Sequence, residues 1–324
     1  MKKIISFISL ILIFGCQPLS TFQIEILKPA PVNFPSNFNK IMFVNLDKDI
    51  NNDNEVDTLV FKIITNEIYY GIKDGAINTP NIDSSNFLYS NSFFELDSFY
   101  IDTNINWRYL DGFIDQYETD LLIILDSIEL VMNEWEEADY EVYPVEFYKY
   151  REFFVTAYWK FIDVYEKNIL DSFTYSDTLF WELKNISKKV LENEFPSTVQ
   201  CLRELCYYTG LDYSKRIFPA WKTETRFFYI EGNKQFKSAA LLANEGKWQE
   251  ASEIWKQYVK HIDKELASRA CFNMAVANEM LGNIEDAVQW AQISFDIKEK
   301  KRTKYYILKL KNRLYDIDKI KQQV

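Results

Sequence analysis

The chain has 324 residues, a formal net charge of −11, 48% hydrophobic residues and 17% aromatic residues. This composition excludes a disordered or low-complexity chain, because the apolar residues are sufficient to form the cores of two domains of ordinary size. The single histidine, His261, excludes histidine-rich zinc sites, and the negative charge argues against nucleic acid as a partner.

The first fifteen residues have the pattern of a bacterial secretion signal. Two lysines precede the uncharged stretch Ile4 to Phe14, which is about half as long as a membrane-spanning helix. Gly15-Cys16 follows the stretch, and Ile13 to Cys16 resembles the lipobox, a motif whose cysteine is lipidated and becomes the new N-terminus. We therefore expect a signal peptide over residues 1–15 and a lipid on Cys16. An ordinary signal peptide and a short N-terminal anchor are the alternatives.

The residue after the cysteine bears on location. It is Gln17 rather than aspartate, which under the retention rule of proteobacterial lipoproteins favours the outer membrane. We expect an outer-membrane lipoprotein that faces the periplasm. Its only predicted membrane contact is the lipid, because no later stretch is apolar enough to span a bilayer.

The mature chain begins with the elements of an α/β layer. Residues 21–27 alternate and predict a strand, and the apolar run 40–46 predicts a strand that is buried on both faces. Helical spacing predicts helices over residues 55–73 and 107–117, before a second apolar strand at 120–125. Strand, helix, helix and strand in this order indicate an α/β layer with at least one parallel pair.

Between the first apolar strand and the first helix lies a weak calcium-site candidate. Its oxygen ligands would come from Asp49, Asn51, Asp53 and Asp57, which lie at roughly alternate positions. Val60 stands where such a loop needs a bidentate acid. The other interpretation is a solvated loop that caps the following helix.

Residues 111–146 contain twelve acidic residues and no lysine or arginine. Five of the acids surround Trp135. This pattern favours a solvated loop or a partner-facing patch. A carboxylate pair that hydrolyses a glycan, with Trp135 stacked on a sugar ring, is a less favoured alternative.

The next elements are antiparallel strands and a helix. Residues 155–162 alternate and predict a strand, and residues 169–175 predict its return. Ser197 is expected to cap a helix over residues 198–208, and Gly210 is expected to end it.

Three cysteines remain after the lipobox. Cys201 and Cys206 are five residues apart, which on a helix separates them by about 140° and disfavours a bridge. We predict buried free thiols at these two positions and at Cys271, and no metal site.

Cations and aromatic residues mix in two segments, 213–221 and 226–229. This combination is typical of binding surfaces, but an interdomain core has the same composition. For the tryptophans further on, packing within helices is the alternative to partner binding. The candidates for partner binding are Arg216, Trp221, Arg226, Trp248, Trp255 and Trp290.

From Lys234 onward the pattern is helical and repeats with an offset of 36 residues. Gly246 with its neighbours matches Gly282 with its neighbours, and small residues recur at equivalent positions. This pattern resembles the tetratricopeptide (TPR) repeat, in which small residues let paired helices approach closely.

The end of the chain, 298–324, has ten basic and three acidic residues. It predicts an exposed terminal helix, with binding to anionic lipid as the alternative.

Several segments occur in a characteristic order along the chain. They include Ile24 to Ala30, Tyr213 to Trp221, Arg226 to Tyr229 and Trp248 to Ala251. Together with the lipobox, this order resembles a family of uncharacterised lipoproteins from Bacteroidota over nearly all of the mature chain. The resemblance implies an N-terminal domain similar in fold to the curli-secretion lipoprotein and C-terminal TPR-like repeats.

The expected fold is α+β, with an α/β-type domain and mixed sheet over residues 16–232, followed by an all-α TPR-like module over 233–324. The predicted function is a non-enzymatic, lipid-anchored scaffold that binds a protein or peptide in envelope assembly or secretion. No cofactor is expected. The alternatives are a lipoprotein that binds a glycan or another small solute and, less favoured, a carboxylate-based hydrolase.

Overall fold

The structure is a computed structural model, and it describes residues 19–33, 38, 40–46, 55–77, 79, 87–89, 99–101 and 104–323. These residues form two compact units. The helical unit contains residues 19–26 and 222–317, and the α/β unit contains the described residues from 27 to 221 together with 318–323. The sequence placed the division between domains at residues 232–233.

Strands and helices are numbered in chain order. The strands are β1 (Leu19–Lys28), β2 (Ile41–Asn45), β3 (Phe87–Tyr89), β4 (Tyr100–Ile101), β5 (Asn104–Ile105), β6 (Leu121–Asp139), β7 (Glu146–Asp163), β8 (Asn168–Asn185) and β9 (Ala220–Tyr229). The helices are α1 (Glu55–Ile77), α2 (Trp107–Tyr117), α3 (Lys188–Glu194), α4 (Thr198–Ile217), α5 (Lys234–Asn244), α6 (Trp248–Lys256), α7 (Lys264–Met280), α8 (Ile284–Ile297) and α9 (Lys301–Gln323). The predicted mixture of strands and helices, with helices at the C-terminal end, is confirmed. Within the described ranges, no helix is long and apolar enough to cross a bilayer.

Five strands of the α/β unit form one mixed sheet, in the order β3-β2-β6-β7-β8. Strand β2 runs parallel to both β3 and β6, and β7 pairs antiparallel with β6 and β8. The predicted parallel pair and the predicted antiparallel strands are therefore confirmed. A separate antiparallel pair joins β4 and β5.

The parallel part of the sheet is covered on both faces. Ile41 and Phe43 of β2 face a core shared with α1 and α4, whereas Met42 and Val44 face a second core that includes Leu110 of α2. A strand buried on both faces has no position that tolerates a polar side chain, which explains the uninterrupted apolar run. The predicted two-sided burial is confirmed.

Helices α1 and α4 pack so closely that their contact requires glycine. A Cβ on Gly210 would lie 2.1 Å from the carbonyl oxygen of Ile68, and a Cβ on Gly71 would lie 2.0 Å from that of Tyr207. The predicted end of the helix at Gly210 is therefore wrong, because this glycine lets two backbones approach and α4 continues beyond it.

The start of α4 agrees with the sequence. Ser197 precedes the first turn, and its hydroxyl oxygen accepts a hydrogen bond from the backbone N–H of Gln200 at 3.2 Å. The Gln200 side chain accepts a hydrogen bond in return from the Ser197 backbone N–H at 2.8 Å. This reciprocal pair is a capping box, and the predicted cap is confirmed.

Strands β6, β7 and β8 are 19, 18 and 18 residues long and extend well beyond the parallel part of the sheet. The sequence predicted only residues 155–162 and 169–175 of the two later strands, because polar side chains interrupt the apolar pattern on either side. The interpretation of the acids around Trp135 as a loop is wrong for four of the five, since Glu134, Glu136, Glu137 and Asp139 lie in β6, whereas Glu141 lies in the β6–β7 turn. Cross-strand pairing with β7 stabilises this polar segment as a strand.

In the helical unit, β1 pairs with β9, and helices α5 to α8 follow as two hairpins. The turn of each hairpin contains a glycine with positive φ, Gly246 at 79° and Gly282 at 84°. In both turns the backbone N–H after the glycine donates to the carbonyl oxygen five residues earlier, at 2.9 Å. The two turns are equivalent, and their glycines have the 36-residue offset of the sequence repeat.

The three cysteines of the described residues are free and buried, as predicted. Cys201 and Cys206 lie in the core of the α/β unit. Burial raises the pKa of Cys271 to about 11, so this thiol is uncharged at neutral pH.

Replacing Gly210 should test the close helix contact. We expect Gly210→Ala to lower the free energy of unfolding by about 1–3 kcal/mol, because the new Cβ overlaps the Ile68 carbonyl group. The matched control is Gly112→Ala in α2, where a Cβ meets nothing within 4 Å. For this control we expect the free energy of unfolding to rise by about 0.5–1 kcal/mol, because alanine is a better helix former than glycine. Urea unfolding followed by circular dichroism measures both, and equal shifts in the same direction would contradict the contact.

Candidate functional site

Two predicted sites lie outside the described residues, at least in part. They are the lipidation site Cys16 and the calcium candidates Asp49, Asn51 and Asp53, together with the side chain of Asp57. Within the ranges that the structure does describe, no group of three or more His, Cys, Asp or Glu side chains is placed to hold a metal ion. Lipidation and calcium binding therefore stay predictions.

Two of the candidate tryptophans belong to the core of the helical unit. Trp255 is fully buried, and its ring centroid lies 6.0 Å from that of Phe228. Trp248 is half-buried, with ring centroids 5.7 Å from Phe228 and 5.0 Å from Phe22. This packing joins β1 and β9 to the first helical hairpin, so Trp255 offers no surface to a partner.

Arg226, another candidate, is buried in an ion network of the helical unit. Its guanidinium donates to the two carboxylate oxygens of Glu279, from Nε and from Nη2, each at 2.9 Å. Glu279 also accepts hydrogen bonds from the Tyr306 hydroxyl at 2.7 Å and from Arg313 at 2.8 Å. The side chain of Glu279 has no solvent exposure. The network therefore connects β9 to α7 and α9 entirely through protein contacts.

The charge of Glu279 is set by two opposing effects. Burial by itself raises the pKa of this carboxyl, but the hydrogen bonds from Arg226, Tyr306 and Arg313 outweigh it and hold the pKa below its usual value. A buried ion pair adds little net stability compared with apolar packing, but losing one partner leaves an uncompensated charge. Arg226 is thus a residue that positions β9.

The other candidates differ in exposure. Arg216 donates to both carboxylate oxygens of Asp171, at 2.6 and 2.9 Å, and its guanidinium lies 4.0 Å from the centroid of the Phe173 ring. Trp290 is half-buried against the core of the helical unit. Trp221 is 53% exposed, so it is the most accessible of the six candidates.

A large exposed surface of the α/β unit lies on one face of β6, β7 and β8, and we call it the aromatic face. Side chains alternate between faces along a strand, and residues paired across strands share a face. Trp135 pairs with Tyr150, and Val131 pairs with Phe154. The members of the aromatic face are Val131, Trp135, Tyr148, Tyr150, Phe154 and Phe180.

Four rings of the aromatic face form a continuous cluster. The ring centroids of Trp135 and Tyr150 are 5.2 Å apart, and Phe180 and Tyr148 lie 5.8 and 6.1 Å from Tyr150. The exposed fractions of Trp135, Phe154 and Phe180 are 38, 39 and 50%. A contiguous exposed aromatic surface of this kind is typical of a binding site.

The opposite face of the same strands is packed, and its acids are paired. Glu134 accepts a hydrogen bond from Nε of Arg151 at 2.8 Å and forms an ion pair with Lys149 at 3.0 Å. Glu136 pairs with Lys149 at 3.4 Å and with Lys188 of α3 at 2.9 Å. Two of the five acids around Trp135 are thus neutralised by neighbouring elements.

The aromatic face carries carboxylates without such partners. Glu137, Glu152 and Glu182 lie among its rings, and none of the three forms an ion pair within the part of the chain that the structure describes. Partial burial and the negative charges of Glu137 and Glu182 raise the pKa of Tyr150 above its usual value. At neutral pH the face therefore presents apolar rings in a negative field.

At the β6–β7 turn, the aromatic face borders a cavity of about 620 Å³. Its lining residues are Glu137, Ala138, Asp139, Tyr140, Glu141, Tyr148 and Tyr150. The nearby Lys184 is already paired with Glu146 at 2.7 Å. The cavity therefore combines three carboxylates with three phenol rings.

This arrangement is suited to cationic side chains. The faces of aromatic rings attract an ammonium or guanidinium group, and the carboxylates pair with the same group at its edge. The rings also provide surfaces on which sugars stack, with carboxylates as acceptors for hydroxyl groups.

Sequence reasoning found Trp135 and its acidic neighbours but missed Tyr148, Tyr150, Phe154 and Phe180. A partial signal was present, because Tyr148, Tyr150 and Phe154 lie at even positions and so on one face of a strand, but Phe147 and Phe153 at odd positions obscure the alternation. Only the strand register shows that these rings lie beside Trp135.

Two family models match the chain. One, described as "Domain of unknown function (DUF8603)", matches residues 84–229 and includes the aromatic face. The other, described as "Domain of unknown function (DUF6340)", matches residues 237–312 within the helical unit. No curated protein matches the sequence.

Among solved structures, the chain is similar to the hypothetical protein CT253 from Chlamydia trachomatis. The identity is 8%, and the match covers 55% of this chain and 95% of that one, with a TM-score of 0.24. A TM-score this low carries no argument about fold or function.

Replacing Glu279 should test the buried ion network. We expect Glu279→Gln to lower the free energy of unfolding at neutral pH by about 3–5 kcal/mol, because Arg226 and Arg313 lose their shared counter-charge. Glu224→Gln is the matched control, since Glu224 also pairs with Arg226 but is 18% exposed. This substitution should lower the free energy of unfolding by less than Glu279→Gln does. Denaturant unfolding of the three proteins measures the difference.

The same network predicts a pH dependence. The pKa of Glu279 is lower in the folded protein than its ordinary value of 4.5, so its contribution to stability is complete above that pH. The contribution is lost as the pH falls through the lowered pKa. The stability difference between wild type and Glu279→Gln should therefore shrink in acid, and a constant difference from neutral pH to the acid limit would contradict this assignment.

Proposed function

We propose that this protein is a non-enzymatic interaction scaffold of the bacterial cell envelope, anchored to the outer membrane by a lipid on Cys16. The observation that carries the proposal is the exposed aromatic face of the α/β unit. Its preferred ligand is a basic segment of a partner protein, with arginine and lysine side chains placed over the rings.

Charge complementarity supports a basic partner. Trp135, Tyr150 and Phe180 supply stacked rings, and Glu137 and Glu182 next to them supply negative charges that no described cation neutralises. Aromatic and arginine side chains dominate the energetics of protein interfaces when they are desolvated together. A partner segment that covers the face would bury the rings and neutralise the acids in one step.

The helical unit supports the scaffold proposal in a different way. We propose that α5–α6 and α7–α8 are two TPR-like units, because their glycine turns are equivalent and 36 residues apart. Ala239 with Ala275, and Ala251 with Ala287, are fully buried at the same offset. Small buried residues at these positions let helices pack closely, as the TPR pattern requires. Stacked helix pairs of this kind present extended surfaces to partners.

A lipid anchor suits such a scaffold. Each acyl CH₂ group that is buried in a bilayer contributes about 0.8 kcal/mol of transfer free energy, so two or more chains hold a protein stably at the membrane. The lipobox-like Gly15-Cys16 and the resemblance to Bacteroidota lipoproteins support this location. Gln17 supports the outer membrane, with the periplasmic face preferred.

A second candidate function is glycan or small-solute binding. The cavity at the β6–β7 turn favours it, because three tyrosines and three acids line a space of about 620 Å³. Sugar rings stack on aromatic side chains, and carboxylates accept hydrogen bonds from hydroxyl groups. The two candidate ligands therefore differ in charge, since a basic peptide is cationic and a glycan can be neutral.

A peptide titration should test the aromatic face. We expect the chain from residue 16, with Cys16→Ser, to bind a short labelled peptide of alternating arginine and serine, and not a glutamate–serine peptide. Trp135→Ala should weaken binding about tenfold or more, as for an interface hot spot. Fluorescence anisotropy at increasing salt measures the affinity, which should fall as ions screen the carboxylates.

Matched charge variants serve as controls for this titration. Glu137→Gln with Glu182→Gln should weaken binding, whereas Glu192→Gln with Glu194→Gln, which removes two exposed acids from α3, should not. Equal effects of the two pairs would indicate nonspecific attraction and contradict a defined site. Binding of a neutral glycan, lost with Trp135→Ala and without peptide binding, would favour the second candidate.

Lipidation should be tested separately in a bacterial host. Cells that express the full chain and take up labelled palmitate should incorporate the label, and Cys16→Ser should abolish incorporation. Cys271→Ser is the control, since this cysteine is buried in the helical unit and should not affect labelling. Labelling that persists in the Cys16 variant would refute the anchor.

A further inference from the structure

Helix α9 has apolar side chains on two faces, and only one of them is buried. Tyr306, Ile307 and Leu310 pack into the core of the helical unit. Tyr305 and Leu308, by contrast, are 62 and 52% exposed. An amphipathic helix that only needed to cover a core would be polar on its outer side.

The exposed residues form one stripe, which we call the lysine–tyrosine stripe. Its members are Lys301, Lys304, Tyr305, Leu308, Lys311 and Tyr315. At 100° per residue these six positions fall within an arc of about 120° on the helix. Tyr315 is 68% exposed, and the apolar members Tyr305, Leu308 and Tyr315 extend over nearly three turns.

The cations of the stripe are available to a ligand. Lys301, Lys304 and Lys311 form no ion pair among the residues that the structure describes. The inner cations of the same helix are used differently, since Lys309 pairs with Glu224 at 3.6 Å and Arg313 with Glu279 at 2.8 Å. Within the described part of the chain, the cations on the inner side of α9 are therefore paired, and the three lysines of the stripe are not.

The composition of the stripe favours a lipid surface over an acidic protein. Protein interfaces are enriched in arginine and depleted in lysine, whereas all three free cations here are lysines. The long lysine stem lies along apolar material while its ammonium group reaches a phosphate, and tyrosine occupies the same interfacial depth. Leu308 lies between the two tyrosines, where a helix parallel to a bilayer inserts its apolar side chains.

We propose that the lysine–tyrosine stripe of α9 binds the surface of a bilayer that contains anionic lipid. The three lysines contact headgroup phosphates, and Tyr305, Leu308 and Tyr315 enter the interface. The contact is weak by itself, because the chain as a whole is acidic. It goes beyond the proposed scaffold function and does not depend on it, since the stripe exists with or without a lipid on Cys16.

Vesicle flotation should test this contact with the chain from residue 16, carrying Cys16→Ser so that no anchor contributes. At low salt we expect the protein to float with vesicles of equal parts phosphatidylcholine and phosphatidylglycerol, and not with phosphatidylcholine alone. Replacing Lys301, Lys304 and Lys311 with glutamine should reduce the bound fraction about tenfold or more, because adjacent lysines act together on anionic lipid. Raising the salt concentration should have the same effect.

The matched control replaces Lys234, Lys237 and Lys256, three exposed lysines elsewhere in the helical unit, and changes the net charge equally. It should bind like wild type. The triple variant Tyr305→Ser, Leu308→Ser and Tyr315→Ser should also reduce binding. Its circular dichroism spectrum and thermal melting should stay close to those of the wild type, because these side chains are exposed. Equal losses with both lysine sets, or no flotation of the wild type with anionic vesicles, would overturn the proposal. Binding of an acidic peptide in place of vesicles would assign the stripe to a protein partner instead.

Discussion

The two-residue alternation of strands β6, β7 and β8 determines both the core and the exposed surface of the α/β unit. Side chains on one face, such as Arg151 and Trp159, are buried, while those on the other face include Trp135 and Phe180. The same alternation separates the acids of β6, so that Glu134 and Glu136 pair with lysine or arginine, whereas Glu137 pairs with neither among the residues that the structure describes. A shift of the register by one residue would exchange the two sets, which is why the strand pairing and the candidate site cannot be separated.

The helical unit depends on a different constraint, the burial of charge. Glu279 has no exposure and is satisfied by Arg226, Tyr306 and Arg313, which come from β9 and α9. Such a network tolerates few alternative arrangements, because any that left the carboxylate or a guanidinium unpaired would carry a large desolvation cost. It therefore specifies where β9 and α9 lie against α7, whereas the apolar packing of Trp248 and Trp255 on Phe228 supplies the buried area.

The two proposed surfaces have opposite charge and different chemistry. The aromatic face combines stacked rings with carboxylates, and the lysine–tyrosine stripe combines separate apolar side chains with lysines. In a chain with a net charge of −11, three lysines on one helix face that form no ion pair within the described ranges are a marked local exception. The two proposals therefore assign one surface to a protein partner and the other to a bilayer.

The sequence by itself determined the secondary structure where one physical signal dominated. The apolar runs at 41–45 and 121–125 became doubly covered strands, Ser197 capped α4, and the glycine turns of the two hairpins recur at the offset of the repeat. These features depend on residues close together in the chain. Only the tertiary structure decided the role of Gly210, because the carbonyl group it makes room for belongs to a helix far away in sequence. It likewise decided that Arg226 is buried and that Tyr150 lies beside Trp135, because ion pairs and ring contacts follow from strand register and helix packing rather than from local spacing.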